Sequence, residues 1–232
     1  MSLKNKKIVI TGGNGRFANV LKQSKNNLKF YYPDKKNLNI LKTSSIKNYL
    51  KKIKPKYLIH AAALSRPMSL HDNNISKSID LNIIGTANVT KVCSKLRIKL
   101  IYFSTGYVYE GIKGNYSELD PVKPFNNYGL SKLGGEYAVS MYKNSLILRI
   151  TMTAKPFLYK KAFSNLKTNY MFHEDLVKML PRLINRKGII NVGGKTQSVY
   201  SFAKSQDKTI KKINPKKSER NTILTNGSPP EN

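Results

Sequence analysis

The stretch KIVITGGNGRFANVL, residues 7–21, decides how this chain is read. Lys7-Ile8-Val9-Ile10 is a short, β-branched run of strand length. It feeds the glycine-rich turn TGGNGRFA, residues 11–18, and then an apolar-periodic segment through Phe17, Val20 and Leu21. Strand, glycine turn and helix in that order form the context that a dinucleotide fingerprint requires. Gly12 would allow the tight turn, and Gly15 would let the backbone approach a pyrophosphate lying at the helix N-terminus. Ala18 stands where a third glycine is usual. Read alone, the motif is also compatible with a plain glycine-rich turn.

The alternation continues outward from that stretch. Apolar runs at 28–32, 57–60, 99–104, 145–150 and 188–192 are separated by longer amphipathic segments at 16–24, 43–52, 72–95, 127–143 and 173–184. Such a pattern predicts an α/β fold, a Rossmann-like doubly wound parallel sheet with helices on both faces. At 232 residues the chain can hold one such domain and a small appendage. Residues 1–150 are expected to form the NAD(P)-binding domain and residues 151–232 a reduced substrate-binding region. The tail from Lys211 onward, KKINPKKSERNTILTNGSPPEN, has few apolar residues and is expected to be loosely ordered at its end.

Composition narrows the class further. The single cysteine, Cys93, lies in the helical run NVTKVCSKL, so no disulfide framework is expected and a reducing compartment fits. Its simplest reading is a small core residue. No apolar stretch reaches the ~18 residues of a membrane span. The basic N-terminus carries an apolar piece of strand length only, which argues against a signal peptide and for a cytoplasmic protein.

The second informative stretch is STGYVYEGIKGNYSELDPVKPFNNYGLSK, residues 104–132. Thr105 ends the apolar run Leu100-Ile101-Tyr102-Phe103, which reads as a buried parallel strand. Tyr128 and Lys132 stand four apart on a predicted helix and so share one face. An ammonium beside a phenol favours the phenolate and eases proton exchange near neutral pH, while the Thr105 hydroxyl could hydrogen-bond the same oxygen that Tyr128 protonates. The set suits carbonyl reduction and needs a hydride source. The spacing alone is weak, because Tyr31/Lys35, Tyr32/Lys36, Tyr109/Lys113 and Tyr200/Lys204 repeat it without the strand-end hydroxyl.

With both motifs in hand, the chain resembles the extended short-chain dehydrogenases/reductases, and among them the dTDP-4-dehydrorhamnose reductases and their sugar-nucleotide reductase relatives. The matching pieces are TGGNGRFA at 11–18, LNI at 38–40, YLIHAAALS at 57–65, DLNIIGTANV at 80–89, FSTGYVYEG at 103–111 and PFNNYGLSKLGGE at 124–136. Looser ones follow: LRIT at 148–151, HEDLVKML at 173–180, GIINVGG at 188–194 and RNTILTN at 220–226. The resemblance implies Thr105 as the hydroxyl that polarises the substrate carbonyl, Tyr128 as general acid, and Lys132 as the group that binds the nicotinamide ribose and tunes the tyrosine. It implies that Asn82 supports that lysine through water, and that His60 and Ala61, Ala62 and Ala63 line the cofactor. His60 itself reads best as a satisfied strand-end histidine. Arg149 matches a family arginine, with a buried ion pair an equally good account.

Two departures from the family pattern bear on substrate. The reductases usually carry an acidic residue directly after the threonine, where this chain has Gly106. The segment between Arg149 and His173 is also short. The expected activity is NAD(P)-dependent reduction of a keto group on a nucleotide-linked sugar, with a 4-keto-6-deoxyhexose as the expected acceptor. A sugar-nucleotide epimerase and a non-catalytic dinucleotide-binding regulatory protein are the alternatives.

An acidic reader of the ribose 2′-hydroxyl is expected at the end of the second strand, yet Phe30-Tyr31-Tyr32-Pro33 supplies none before Asp34, which Lys35 and Lys36 follow. The expected cofactor is therefore NADP(H), with NAD(H) as the other candidate. Gly12, Gly15, Arg16 and Phe17 of the glycine turn would contact it, with Arg16 and Lys35 on the 2′-phosphate. The 42 Lys and Arg against 12 Asp and Glu give a net charge of +30, but the lysines are spread along the chain and no nucleic-acid-reading motif accompanies them. The partners expected are thus a nucleotide-sugar and a second copy in a homodimer, with no specific nucleic acid and no membrane.

Overall fold

The computed structural model describes residues 5–25, 28–157 and 159–214. The segment RNTILTN at 220–226 and the far end of the tail lie outside them.

Six parallel strands form the central sheet: β1 (Lys7–Thr11), β2 (Lys29–Tyr31), β3 (Tyr57–His60), β4 (Lys99–Thr105), β5 (Ser145–Ile150) and, from much later in the chain, Gly188–Val192. Their spatial order is β2, β1, β3, β4, β5 and then Gly188–Val192. The sheet is parallel throughout, and β3, β4 and β5 are buried at every residue because helices cover both faces. Alternation along each strand sorts the core into two layers. Ile8, Ile10, Ile59, Ile101, Phe103 and Leu148 face α1 (Arg16–Gln23) and a later helix at His173–Leu183. Val9, Leu58, Leu100, Tyr102 and Ile147 face α2 (Thr43–Ile53) and the helices that follow β3 and β4. Cys93 is fully buried in this second layer, where burial raises its thiol pKa.

The long helix predicted over 72–95 is instead a chain of pieces: α3 (Leu70–Asn73), α4 (Ile75–Ser78), a π-helical stretch at Ile79–Ile84 and α5 (Gly85–Lys95). Asn74, at φ −143° and ψ 70°, breaks the first turn, and its side chain accepts from the Lys77 backbone N–H to start the next. The π-helical stretch carries the fully buried Asn82. After β4 a single 3₁₀ turn, Gly106–Val108, leads into a long loop. Asn126 then caps α6 (Asn127–Ser140) by accepting from the Gly129 N–H at 2.7 Å.

Beyond residue 150 the chain builds two things. The helix at His173–Leu183, α7, and the sixth sheet strand complete the main body. Around them, β6 (Met152–Thr153) pairs with β9 (Met171–Phe172), β7 (Lys161–Phe163) with a strand at Lys211–Ile213, and β8 (Lys167–Thr168) with a strand at Gln197–Ser198. In chain order the remaining elements are β10 (Gly188–Val192), β11 (Gln197–Ser198), α8 (Val199–Lys204) and β12 (Lys211–Ile213). Ala162, Val199, Ala203 and Ile210 form a small separate core there, with Phe157, Leu166, Tyr170 and Tyr200 packed on it. Among the described residues no helix is long and apolar enough to cross a membrane, and no cluster of His, Cys, Asp and Glu could hold a metal.

Candidate active site

The strand order reverses direction of growth between β1 and β3, and a crevice opens at the carboxyl ends of those two strands, where open α/β sheets take their ligands. Glycines make its floor. Gly12 has φ +74°, and a Cβ there would lie 3.1 Å from the Ala62 backbone. At Gly13 a Cβ would come within 2.6 Å of the Tyr32 carbonyl, so only glycine lets the end of β2 cross the turn. Gly15 caps α1, and its N–H donates to the Gly12 carbonyl at 2.8 Å. A cavity of about 470 Å³ runs from this turn past Arg16, Phe17, Ala61 and Ala63 to Thr105, Tyr128 and Lys132. That volume lies within the roughly 300–1,000 Å³ range of small-molecule and cofactor sites.

Thr105 ends β4 and is buried, its hydroxyl accepting from the Tyr107 N–H at 3.3 Å and lining the same cavity as Tyr128. Tyr128 lies in the first turn of α6, its ring 5.1 Å from that of His71 and 5.9 Å from that of Tyr107. Desolvation raises its phenol pKa above the ordinary value, and the nearby Thr105 hydroxyl and the Arg66 charge pull the other way. Lys132, one turn on, is 2 % exposed, with Nζ 4.2 Å from the centre of the Tyr102 ring. Burial holds its pKa down to about 7, against the pull of Glu136. The cation acting on the phenol is Arg66, where the sequence pattern points to Lys132, and Lys132 is itself pushed toward neutrality.

The residues beneath the cavity form a buried polar scaffold. Asn82 accepts from the Leu64 N–H at 2.7 Å and donates to the Leu64 carbonyl at 2.9 Å and to Ser131 Oγ at 2.8 Å. Ser131 in turn donates to the Tyr128 carbonyl at 2.8 Å, so Asn82 ties the loop after β3 to α6. His60 is fully buried between Thr11, 2.8 Å from Nδ1, and Thr86, 3.1 Å from Nε2. Burial, then the charge of Lys132, drives its pKa down to about 3, so it is a neutral structural residue. Arg149 makes a buried ion pair with Glu136 at 2.8 Å and donates to Tyr109 Oη at 2.7 Å.

Three of the expected cofactor residues stand off the cavity. Ala62 packs beneath Gly12, Asn82 sits in the scaffold, and Lys35 is exposed on the loop after β2. Asp34, beside Lys35, is occupied in its own turn: it accepts from the Asn37 N–H at 2.9 Å, a bond that lowers its pKa. Tyr200 and Lys204, with the same spacing as Tyr128 and Lys132, lie on α8 away from the cavity, Lys204 Nζ 5.9 Å from the ring centre.

A family model described as the RmlD substrate binding domain matches residues 6–174. The chain belongs to this family. As a member of the RmlD family, within the extended short-chain dehydrogenases/reductases, it aligns with curated relatives of two kinds. It is 29% identical over 148 residues to the protein named methionine adenosyltransferase 2 subunit beta of Bos taurus, covering 60% of this chain and 44% of that one. It is 28% identical over 146 residues to dTDP-4-dehydrorhamnose reductase of Sinorhizobium fredii, covering 62% of this chain and 49% of that one. The chain therefore spans less than half the length of these relatives. Among solved structures, dTDP-4-dehydrorhamnose reductase of Bacillus anthracis in complex with NADP superposes with a TM-score of 0.83 at 24% identity, covering 93% of this chain and 86% of that one. The Bordetella bronchiseptica enzyme WbmG in complex with NAD gives 0.72 at 17% identity, covering 96% and 88%. These likenesses establish the fold.

Several cavity residues were not singled out from the sequence. Arg66, Tyr107, Tyr159, Tyr170 and His173 line the cavity and come together only through the topology, being far apart along the chain, while Gly13 stands in the turn at its floor. Gly13 was within reach, because TGGNG offers two adjacent glycines and one fills each backbone crossing. The other five carried no periodic or spacing signal.

Proposed function

We propose that this protein reduces a keto group on a nucleotide-linked sugar with NADP(H) as the electron donor, and that Thr105, Tyr128 and Lys132 carry the chemistry. The observation that supports it best is that Thr105, Tyr128 and Lys132 line one cavity together with the glycine turn. The glycine turn fits a dinucleotide, because Gly12 and Gly13 let it pack directly on the Ala62 and Tyr32 backbone, where a Cβ would clash, and so carry the chain tightly into the start of α1, where a pyrophosphate binds. A bound nicotinamide would supply hydride to the carbonyl carbon. Thr105 hydrogen-bonds the carbonyl oxygen, and Tyr128, whose raised pKa keeps it protonated at neutral pH, gives that oxygen its proton. Lys132 holds the ribose, and an anionic dinucleotide favours its charged form. Arg16, exposed at the start of α1 and lining the cavity, is the phosphate contact that favours NADP(H). Lys35, exposed and off the cavity, has no role in this reaction.

The test is NAD(P)H oxidation by the purified protein across a panel of keto-sugar nucleotides. Stoichiometric oxidation with one of them supports a reductase. Interconversion of sugars without net oxidation supports the epimerase. A second reading is a dinucleotide-binding regulatory subunit, favoured by the relatives named as subunit beta of methionine adenosyltransferase 2 and by Gly106. In that case the dinucleotide binds and no acceptor is turned over.

A further inference from the structure

His173 lines the cavity and takes no part in the proposed reduction. It is the first residue of α7 and only 7 % exposed, and among the described residues neither of its ring nitrogens has a hydrogen-bond partner. The other two histidines are held by their neighbours, His60 between Thr11 and Thr86 and His71 by Ser78, 2.7 Å from Nδ1. A buried imidazole left unbonded is costly, and one that faces a cavity is completed by what the cavity holds. Packing identifies the part of the ligand. α7 lies against α1, where Phe17, Ala18 and Leu21 share one core with Leu176 and Leu180. Phe17, in the first turn of α1, meets the His173 ring edge to face, with centroids 6.2 Å apart and planes at 88°. The imidazole therefore stands beside the helix start that takes a dinucleotide's diphosphate. Two charged groups act on it: Glu174 from its own helix and Arg16 from α1. Burial lowers its pKa below the ordinary value, Glu174 opposes that shift and Arg16 adds to it. Glu174 Oε2 is itself buried and without a hydrogen-bond partner among the described residues. The other ionisable groups of the cavity wall are Arg66, Lys132 and the phenols of Tyr107, Tyr128, Tyr159 and Tyr170.

Resting on the dinucleotide part of the proposed function, we propose that His173 donates a hydrogen bond to the diphosphate of the bound dinucleotide and takes up a proton from solvent as it binds, which makes dinucleotide affinity pH-dependent. The two negative charges of a diphosphate beside the ring favour the imidazolium that burial and Arg16 disfavour in the free protein. Linkage sets the sign. The complex holds the His173 proton to higher pH than the free protein does, so binding strengthens as pH falls through the interval between the two pKa values. The reductase and the regulatory subunit both need a bound dinucleotide, so the inference serves either.

The chain has three histidines, so carbon-13 NMR of the histidine-labelled full chain follows each one's titration, free and saturated with NADP⁺. His60, pushed down to about 3, does not titrate near neutrality, and His71→Gln removes the other competing signal. His173 should titrate below its ordinary ~6.5 in the free protein and above it in the NADP⁺ complex. Saturating NAD⁺ should raise it as well, because NAD⁺ has the same diphosphate and lacks the 2′-phosphate. His173→Gln keeps a donor but cannot take the proton. By calorimetry it should bind NADP⁺ about tenfold more weakly than wild type at pH 6 and within about twofold at pH 8, a pH dependence that a packing role does not produce. The ligand's 2′-phosphate and Lys132 titrate in both proteins and cancel in that comparison. Should His173→Gln fail to fold, the wild-type titration decides by itself. The proposal is overturned if the dinucleotide binds and the His173 titration stays or falls, if only NADP⁺ raises it, or if the His173→Gln deficit is equal at both pH values. Binding of neither dinucleotide removes the proposed function together with this inference, whereas binding without a shift removes the inference alone.

Discussion

Lys132 enters the folded protein against a solvation penalty. Its ammonium is buried over the Tyr102 ring, and burial brings its pKa down to about 7 although Glu136 opposes the shift. The unfolded chain holds that proton up to the ordinary lysine pKa of ~10.4. Between those two values the unfolded state binds more protons than the folded one, so this group's contribution to stability rises with pH there, and its burial cost is felt in full below pH 7. Lys132→Met should therefore stabilise the protein by on the order of a few kcal/mol, most below neutrality and less as pH rises. Urea melts of both proteins at roughly pH 6 and pH 9 check the sign; a gain independent of pH would contradict the assignment. At this scale the sequence was readable where chemistry comes in a spaced set. Thr105, Tyr128 and Lys132 could be named because strand end and helix face are local properties. Arg66 could not, because its position depends on where the loop after β3 meets a segment ninety residues later.

Elements followed the hydrophobic pattern closely where the pattern was continuous. The strands of the main sheet and most of their covering helices were legible because parallel strands buried on both faces read as unbroken apolar runs. The segment from 70 to 95 was not legible in detail. Its apolar residues keep a helical period, and nothing in that period reports the break at Asn74 or the wider turn at Ile79–Ile84. That wider turn has a purpose visible in the hydrogen bonds: it carries Asn82, which holds both backbone groups of Leu64 and reaches Ser131. Asn82→Ala would strand those buried groups and should cost about 2–4 kcal/mol. Chemical denaturation measures it, and a loss under ~0.5 kcal/mol, typical of a surface position, would show that Asn82 is not the tie between the loop and α6. The strand at Lys211–Ile213 was missed for the opposite reason, being too short and too basic to stand out.

For the whole molecule the net charge of +30 is the feature most open to misreading. Lysines spread along the chain produce a diffuse field rather than a recognition stripe, so binding to nucleic acid should be weak, indifferent to sequence and steeply reduced by salt, as counterion release requires. Filter binding of unrelated duplexes at two ionic strengths tests this, and sequence preference surviving raised salt would overturn it. The same field favours anionic ligands in general, which is why a specific site must be demonstrated by geometry and not by attraction. The central claim is that Tyr128 donates the proton in a reduction. It is tested most directly by comparing NADPH oxidation in wild type, Tyr128→Phe and Tyr200→Phe on the best keto-sugar-nucleotide acceptor. Tyr128→Phe should lose ~10²–10⁴ in turnover with NADP⁺ affinity kept, and Tyr200→Phe should be nearly silent. Full turnover by Tyr128→Phe, or greater damage from Tyr200→Phe, would contradict it.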